Sequence, residues 1–496
     1  MKWLFIVFCV YLGSLFFFEQ RIPCDWIERF LEGRIGDRFI VHLNKVSFGF
    51  RRGLHVRGLS IFDTGSENPA QATVAADAID FYPFLRRIRI ERLKYARLPE
   101  SYYAPGNTER NKPVECTLPD AGDFRVTLIR PDILAVKPEQ VDFKLEISPR
   151  RVDFSRIHLV WPDKDVKMEI DGRCYVDFDR QEVFGDIGGL ARQGHIRPML
   201  VAIDVPVALP YMDGFTEVPE PCNARCSWKV DLVRSDLDLW LDLHPLLCRY
   251  NGVAMAKADG AIHLHNYTRG NCLNYRTTVG PVTATDVKGR TLSGTVIVTG
   301  TNNFNTVEVD AKSSQPLADV LKIGGFTGDY VGPEVFGDAE CSLRFLFPRA
   351  MTNNYEVLNG SGRVTVKNGQ LMRMKGFRGL IAAMPSVAPA ITWFTDTTQA
   401  SADYVIENGV VKSDNIYIEG TLFSIKMYGW FDSVKNAQDF TVRVQFAKKD
   451  SIVGKVLHPL TWPFTKLLLE FRMTGTPEEP RWQYISVIDR VLEAVK

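Results

Sequence analysis

Successive side chains of an extended chain point to opposite sides, so a segment that alternates apolar and polar residues reads as a strand with one dry face and one wet face. That alternation recurs through this sequence and constrains it more than any other feature. Val141, Phe143, Leu145 and Ile147 alternate with Asp142, Lys144 and Glu146, and Leu237, Leu239, Leu241 and Leu243 alternate with Asp238, Trp240 and Asp242. Phe124-Val126-Leu128, Val166-Met168-Ile170, Leu343-Phe345-Phe347, Phe423-Ile425-Met427 and Phe440-Val442-Val444-Phe446 repeat the pattern. A mostly β chain built as a long antiparallel sheet follows. Asn368-Gly369 and Asn408-Gly409 stand between such runs, and this dipeptide supplies the positive φ angles of a two-residue hairpin turn.

Parity carries a stronger expectation. Leu239, Leu241, Phe345, Ile425, Met427, Val442 and Val444 each lie opposite charged neighbours, namely Asp238, Asp242, Arg344, Lys426 and Arg443. A slip of one residue would drive those charges into the apolar layer, so the register is strongly specified and the seven are expected on a common apolar surface.

Helical signals are few. Trp26, Ile27, Phe30 and Leu31 have helical spacing within 25–37 and predict a short amphipathic helix that lies on a membrane surface. Further candidates are 316–323, 380–384, 453–469 with Pro459 and Pro463 interrupting, and 485–495. Residues 101–122, rich in Pro, Gly and Asn, read as an irregular connection. The four prolines within 206–221 mark a softer boundary, either an excursion from the sheet or a hinge within it. No solenoid repeat of fixed period is visible.

The segment Trp3 to Phe18 runs sixteen residues without a charge. As a helix it reaches roughly 24 Å, enough for a thin-membrane span or a signal peptide. The uncleaved span is favoured, because the stretch ends in Phe16, Phe17 and Phe18 where a signal peptidase requires small residues. The simplest topology leaves Lys2 and the amino terminus in the cytoplasm and exports the chain after Arg21.

At 496 residues with 45% hydrophobic residues, the chain has material for a large core. Its 60 Lys+Arg balance 59 Asp+Glu, which removes the global electrostatic case for a nucleic-acid partner. The one local basic run is Arg86, Arg87, Arg89, Arg92, Lys94 and Arg97, interrupted by Glu91. It fits either a solvated strand face or a surface meeting anionic headgroups.

Motifs for catalysis fail one after another. There is no G-x-S-x-G elbow, no H-E-x-x-H, no phosphate loop and no glycine-rich dinucleotide turn. His263 and His265 sit two apart on the polar face of one strand, a spacing open to a metal, yet Ile262 and Leu264 opposite them make an ordinary polar pair the better reading. The acidic pairs Asp163/Asp165 and Asp177/Asp179 receive no acid–base role. Nine dispersed cysteines are not a disulfide scaffold. Cys222, Cys226, His244 and Cys248 match no common zinc spacing, so unpaired thiols are expected ahead of a local disulfide. No metal, no cofactor and no enzymatic activity are expected.

Two regions resemble the AsmA-like family of bacterial envelope proteins, relatives of bridge-like lipid-transfer proteins. At the front, the apolar segment is followed by "HLNKVSFGFRRGLHVRGLSIFD" and "ADAIDFYPFLRRIRIERLKYARL", similar to the family's entry strands. Near the end, "GSGRVTVKNGQL", an apolar connector, "ASADYVIENGVVKSDNIYIEGTLFSIKMYGWFD" and "LLEFRMTGTPEEPRW" follow in the order of an AsmA-like carboxy-terminal domain. The resemblance covers roughly 1–98 and 356–482, and the middle carries no nameable signature.

The resemblance implies an inner-membrane anchor and a periplasmic, twisted antiparallel sheet curled into an apolar groove. Phospholipid acyl chains and the inner membrane are the implied partners, other envelope proteins a further one, and outer-membrane homeostasis the implied role. On this reading 1–20 is the transmembrane anchor, 21–100 the helix and entry strands, 101–122 the connection, 123–349 the central groove, 350–482 the carboxy-terminal domain and 483–496 a helix. Leu239, Leu241, Phe345, Ile425, Met427, Val442 and Val444 would line the groove, and Arg86, Arg87, Arg89, Arg92 and Lys94 would meet the membrane. The rival expectation is a non-catalytic scaffold whose apolar face is filled by its own side chains. About fifteen strands at ~4.8 Å reach roughly 70 Å, short of an envelope crossing, so a partner, an oligomer or a shuttle role would be needed.

Deleting residues 3–18 is expected to move the protein from the membrane fraction to the soluble fraction. A soluble mature protein starting near residue 20 would contradict the anchor.

Overall fold

The computed structural model describes residues 19–36, 38–49, 53–64, 72–95, 118, 120–133, 137–161, 168–191, 215–217, 222–234, 236–244, 248–269, 272–301, 303–323, 337–348, 355–371, 377, 380, 397–420, 423–446 and 468–485. The expected membrane span, most of 101–122 and of 206–221, and the helix candidates beyond 380, before 468 and after 485 lie outside them. Leu468 and Leu469, placed at the end of a helix candidate above, begin a strand, Leu468–Gly475. Among the described residues no helix is long and apolar enough to cross a membrane.

The chain is mostly β, with 28 strands among the described residues. Contacts divide it into two compact units, 1–213 with 220–243, and 214–219 with 244–496.

In the first unit a ladder runs from Gln20–Ile22 through Phe39–Gly49, Gly53–Asp63 and Val74–Tyr82 to Arg87–Glu91. It continues through Gly122–Ile129, Gln140–Ser148, Arg151–Trp161, Met168–Asp177 and Glu182–Ala191 to Cys222–Asp231. One step departs from the all-antiparallel expectation: Arg87–Glu91 pairs with Gly122–Ile129 in parallel, as Lys94–Tyr95 does with Asp132–Ile133. Parallel neighbours cannot be joined by a tight turn and need a crossover of a dozen residues or more. The long connection between Tyr95 and Gly122 supplies that length.

The helix Cys24–Ile35 closes the start of this ladder. Ile27 and Leu31 pack on Val41, Leu43, Val46 and Val56. Glu32 and Glu28 accept the backbone N–H groups of Val41 (3.0 Å) and Leu43 (2.7 Å), beyond the reach of the short first strand. An edge strand with free N–H groups invites a foreign strand, and the two carboxylates, one helical turn apart, occupy those groups.

In the second unit the ladder is antiparallel throughout. It runs from Phe215–Glu217 through Cys248–Tyr250, Val253–Arg269, Cys272–Asp286, Thr291–Gly300 and Phe304–Ser313 to Asp338–Pro348. It goes on through Asn359–Lys367, Thr397–Glu407, Val410–Gly420, Phe423–Asp432 and Ala437–Phe446 to Leu468–Gly475 and Pro480–Tyr484. Pairing is continuous across position 350, where the sequence divides a central region from a carboxy-terminal one.

Among the described residues, one of the two Asn-Gly turns forms a hairpin. Glu407 pairs with Val410, and Asn408 (φ 49°) and Gly409 (φ 78°) are both left-handed, the signature of a type I′ hairpin. Asn368 is left-handed too (φ 52°), but the next strand begins at Thr397, so 368-369 opens a long connection and is not a hairpin. Leu371, Phe377 and Leu380 of that connection pack onto the sheet instead. Asn251-Gly252 (φ 45° and 81°) forms an equivalent hairpin between Tyr250 and Val253, a signal the strand reading overlooked.

Other hairpins share an acidic device. Asp177, Asp231, Asp286 and Asp432 each end a strand, and each carboxylate accepts two backbone N–H groups of the turn that follows, at 2.8–3.0 Å. Such Asx turns explain why acids stand at these strand ends.

Gly409→Val is expected to destabilise the Thr397–Gly420 hairpin by about 1 kcal/mol or more, since a β-branched residue resists positive φ. Faster amide exchange confined to that hairpin would show it. The Asp177 carboxyl is held below its ordinary pKa, chiefly by the Arg180 N–H. A depressed folded pKa contributes stability above the unfolded value that is lost as pH falls through the folded one. Asp177→Asn is therefore expected to flatten the acid-side increase in amide exchange of the 177–182 hairpin.

Candidate functional site

Side chains directly opposite in paired strands share a sheet face, so the pairing register traces each apolar surface strand by strand. In the second unit Ile418 pairs with Ile425, Ile425 with Val444, Met427 with Val442, and Val442 and Val444 with Phe471 and Leu469. Going the other way, Ile418 pairs with Ala400, Ala400 with Val366, and Val366 with Ala339. Phe345 lies six residues from Ala339 on an unbulged strand, hence on the same face. From Phe345 the face extends to Val307, Val298 and Thr277, and from Leu343 to Val309, Val296 and Val279.

Five of the seven parity residues thus belong to one continuous face of the second unit. Leu239 and Leu241 are buried in the first unit. The opposite face carries Arg344, Lys426 and Arg443 as expected. It is laced with ion pairs: Arg443 with Glu470 (3.0 Å), Arg472 with Asp439 (2.6 Å) and Lys312 with Glu340 (2.8 Å). Arg363 pairs with Asp403, whose carboxyl is drawn down to about 2 by that guanidinium and by Asn415.

The apolar face is not uniform along its length. Ile425, Val442 and Val444 are 0% exposed and, with Met427 and the neighbouring Phe471, sit in a cluster packed against Leu380 and Phe377. Here the chain fills the face with its own side chains, so these four line a closed core rather than an open wall. A second cover is the helix Leu317–Ile323: Leu317 and Ala318 contact Val366 and Leu371, while Ile323 contacts Met255, Ala258 and Ala284. Between these covers, Val279, Val296, Val307, Val309, Leu343 and Phe345 remain half-buried. Glycines at 294, 300, 360 and 362 share this face, and at 300 and 362 an added Cβ would strike the rings of Tyr275 and Tyr404.

The basic run resolves into two ends of one strand. Arg86, Arg87, Arg89, Arg92 and Lys94 are all exposed. Arg86 pairs with Asp123 (2.9 Å), Arg89 with Glu91 (2.9 Å) and Arg92 with Asp77 (3.2 Å). Arg86 and Arg87 flank the turn after Tyr82. Arg92 and Lys94 instead line a cleft of about 400 Å³ with Arg130, Lys137, Asp132 and Glu139.

Cys24, Cys174, Cys226 and Cys341 are free thiols. Cys222 and Cys226 stand four residues apart on one strand, about 13 Å at the rise of an extended chain, beyond disulfide reach. Burial pushes the Cys174 thiol to about 11 and the Cys226 thiol to about 12, so neither is a nucleophile near neutral pH. His263 and His265 share a strand face with ring centroids 6.3 Å apart. His244, which the sequence places in no zinc set, faces Asp259 at 3.1 Å.

No family model, no curated protein and no solved structure matches the chain significantly. The resemblance to AsmA-like proteins rests on the order of strand motifs alone.

Proposed function

We propose that the chain is a membrane-anchored, non-catalytic lipid-handling protein of the bacterial envelope, acting from the inner membrane into the periplasm, that holds phospholipid acyl chains against the apolar face of its second unit. One observation carries the reading. The face is continuous from Met473 and Phe471 to Val279, yet the described residues cover only part of it, and Val296, Val307, Val309, Leu343 and Phe345 are half-buried. An apolar row that stays half-wet is costly in water, at roughly 25 cal/mol per Å² of apolar surface, and a hydrocarbon chain lying along the strands would remove that surface from solvent. Headgroups would remain in water. A ligand recognised by hydrocarbon alone needs no catalytic groups, which agrees with the empty motif search.

The second reading is a scaffold for an envelope assembly factor. The packed cluster beneath Leu380 favours it locally, because the apolar face there is already filled.

Lipid extraction and mass spectrometry of the purified protein separate the two. Wild-type protein is expected to carry phospholipid, and Phe345→Asp or Val309→Asp to lose it while remaining folded, because a half-wet wall can hydrate the carboxylate. Ile425→Asp is expected to unfold the carboxy-terminal strands, since an unpaired carboxylate buried at 0% exposure costs several kcal/mol. Wild-type protein free of lipid would favour the scaffold.

A further inference from the structure

We infer that the turn Pro83–Leu85 together with Arg86 and Arg87 inserts into the lipid bilayer at the point where the chain leaves it, so that the first unit meets the membrane through a preformed apolar tip ringed by cations. The inference rests on the proposed anchor and adds a second contact with the same bilayer. Phe84 is 69% exposed and Leu85 73%. Two adjacent large apolar side chains held this far into water are unusual on a folded surface that has the freedom to turn them inward.

The turn is held rather than loose. The Arg86 N–H donates to the Pro83 carbonyl (3.2 Å), and the Arg86 carbonyl accepts the Arg125 N–H (2.8 Å). The Arg86 guanidinium donates to Asp123 (2.9 Å). Pro83 presets its own φ at the first position of the turn, and Arg86 (φ 45°) ends it. A rigid tip presents Phe84 and Leu85 without an ordering cost on insertion.

Register places this tip on the same side of the first strands as Glu19, the residue that follows the apolar segment 3–18 in the sequence. Gln20 pairs with Phe48, Phe48 with Leu54, Leu54 with Phe81, and Phe81 with Ile88, which makes one row across the first strands. Glu19 lies just outside that row, and so does the turn that follows Tyr82, on the same side. Three strand spacings separate them, about 15 Å. A bilayer spanned by residues 3–18 would therefore lie against Phe84 and Leu85, with Arg86 and Arg87 at the depth of its headgroups. Trp26, 72% exposed and four residues after Ile22, stands on the outer face of the following helix, the kind of residue that favours an interfacial depth. Arg92 and Lys94 lie at the far end of the strand and take no part.

The test uses the full-length protein in vesicles of phosphatidylethanolamine and phosphatidylglycerol. A photoreactive benzophenone analogue of phenylalanine replaces Phe84 or Leu85 singly, and Val287 or Val434 as controls; these are apolar turn residues of the second unit, 70% and 46% exposed. Lipid adducts after illumination are expected at 84 and 85 and absent at the controls. Adducts at all four positions alike, or at none while the protein stays with the vesicles, would overturn the inference. Covalent dimers formed through 84 or 85 would overturn it in favour of a second copy. Protein that does not associate with the vesicles would overturn the anchor and this inference together.

Discussion

Backbone pairing between strands that are apolar on one face is the constraint on which the rest of the structure depends. Every strand in the second unit is fixed by its neighbours through hydrogen bonds, and by the penalty for placing Lys426, Arg443 or Arg344 in the apolar layer. The two constraints act together. Cross-strand rows such as Ala400-Ile418-Ile425-Val444-Leu469 run unbroken because a slip anywhere would put charge against hydrocarbon in every strand beyond it.

A ladder of this kind has edges and an exposed apolar face, and the chain deals with each by local means. Glu28 and Glu32 take the N–H groups left free beyond the first short strand. The connection after Lys367 and the helix Leu317–Ile323 take part of the apolar face. Acidic residues at strand ends hold the turns, and ion pairs cover the wet face. What is left is a stretch of valines, Leu343 and Phe345 that the described residues leave half-buried, and the proposed function resides in that incomplete cover. Burial raises the Cys174 and Cys226 thiols, which leaves both neutral near pH 7.

The two proposed membrane contacts and the acyl-binding face place different demands on the protein. The tip at Phe84 and Leu85 needs rigidity and proximity to the anchor, which the first unit provides through the Arg86–Asp123 pair and the Gln20–Phe48 register. On the face of the second unit, the space over Gly300 and Gly362 is taken by the rings of Tyr275 and Tyr404. On the proposed reading, anchoring and lipid handling reside in different units.

Strand identity, strand parity and the helix Cys24–Ile35 were legible from the sequence, because they depend on residue spacing along a single element. Parity put Phe345, Ile425, Met427, Val442 and Val444 on one face without any knowledge of their partners. What the spacing could not decide was what lies over that face. Leu380 comes from a connection whose alternation is weak, and it encloses Ile425 while leaving Phe345 half-open. Asn368-Gly369 and Asn408-Gly409 are chemically identical turn signals, yet only the second closes a hairpin, because the chain after Gly369 gains more by packing Leu371, Phe377 and Leu380 on the sheet than by pairing at once. The parallel step between Arg87–Glu91 and Gly122–Ile129 leaves no mark on either strand, since parallel and antiparallel neighbours require the same side-chain alternation. Local pattern determined which faces of the strands are dry. Only the tertiary structure, through contacts between residues far apart in the chain, decided which parts of the dry face the protein fills itself.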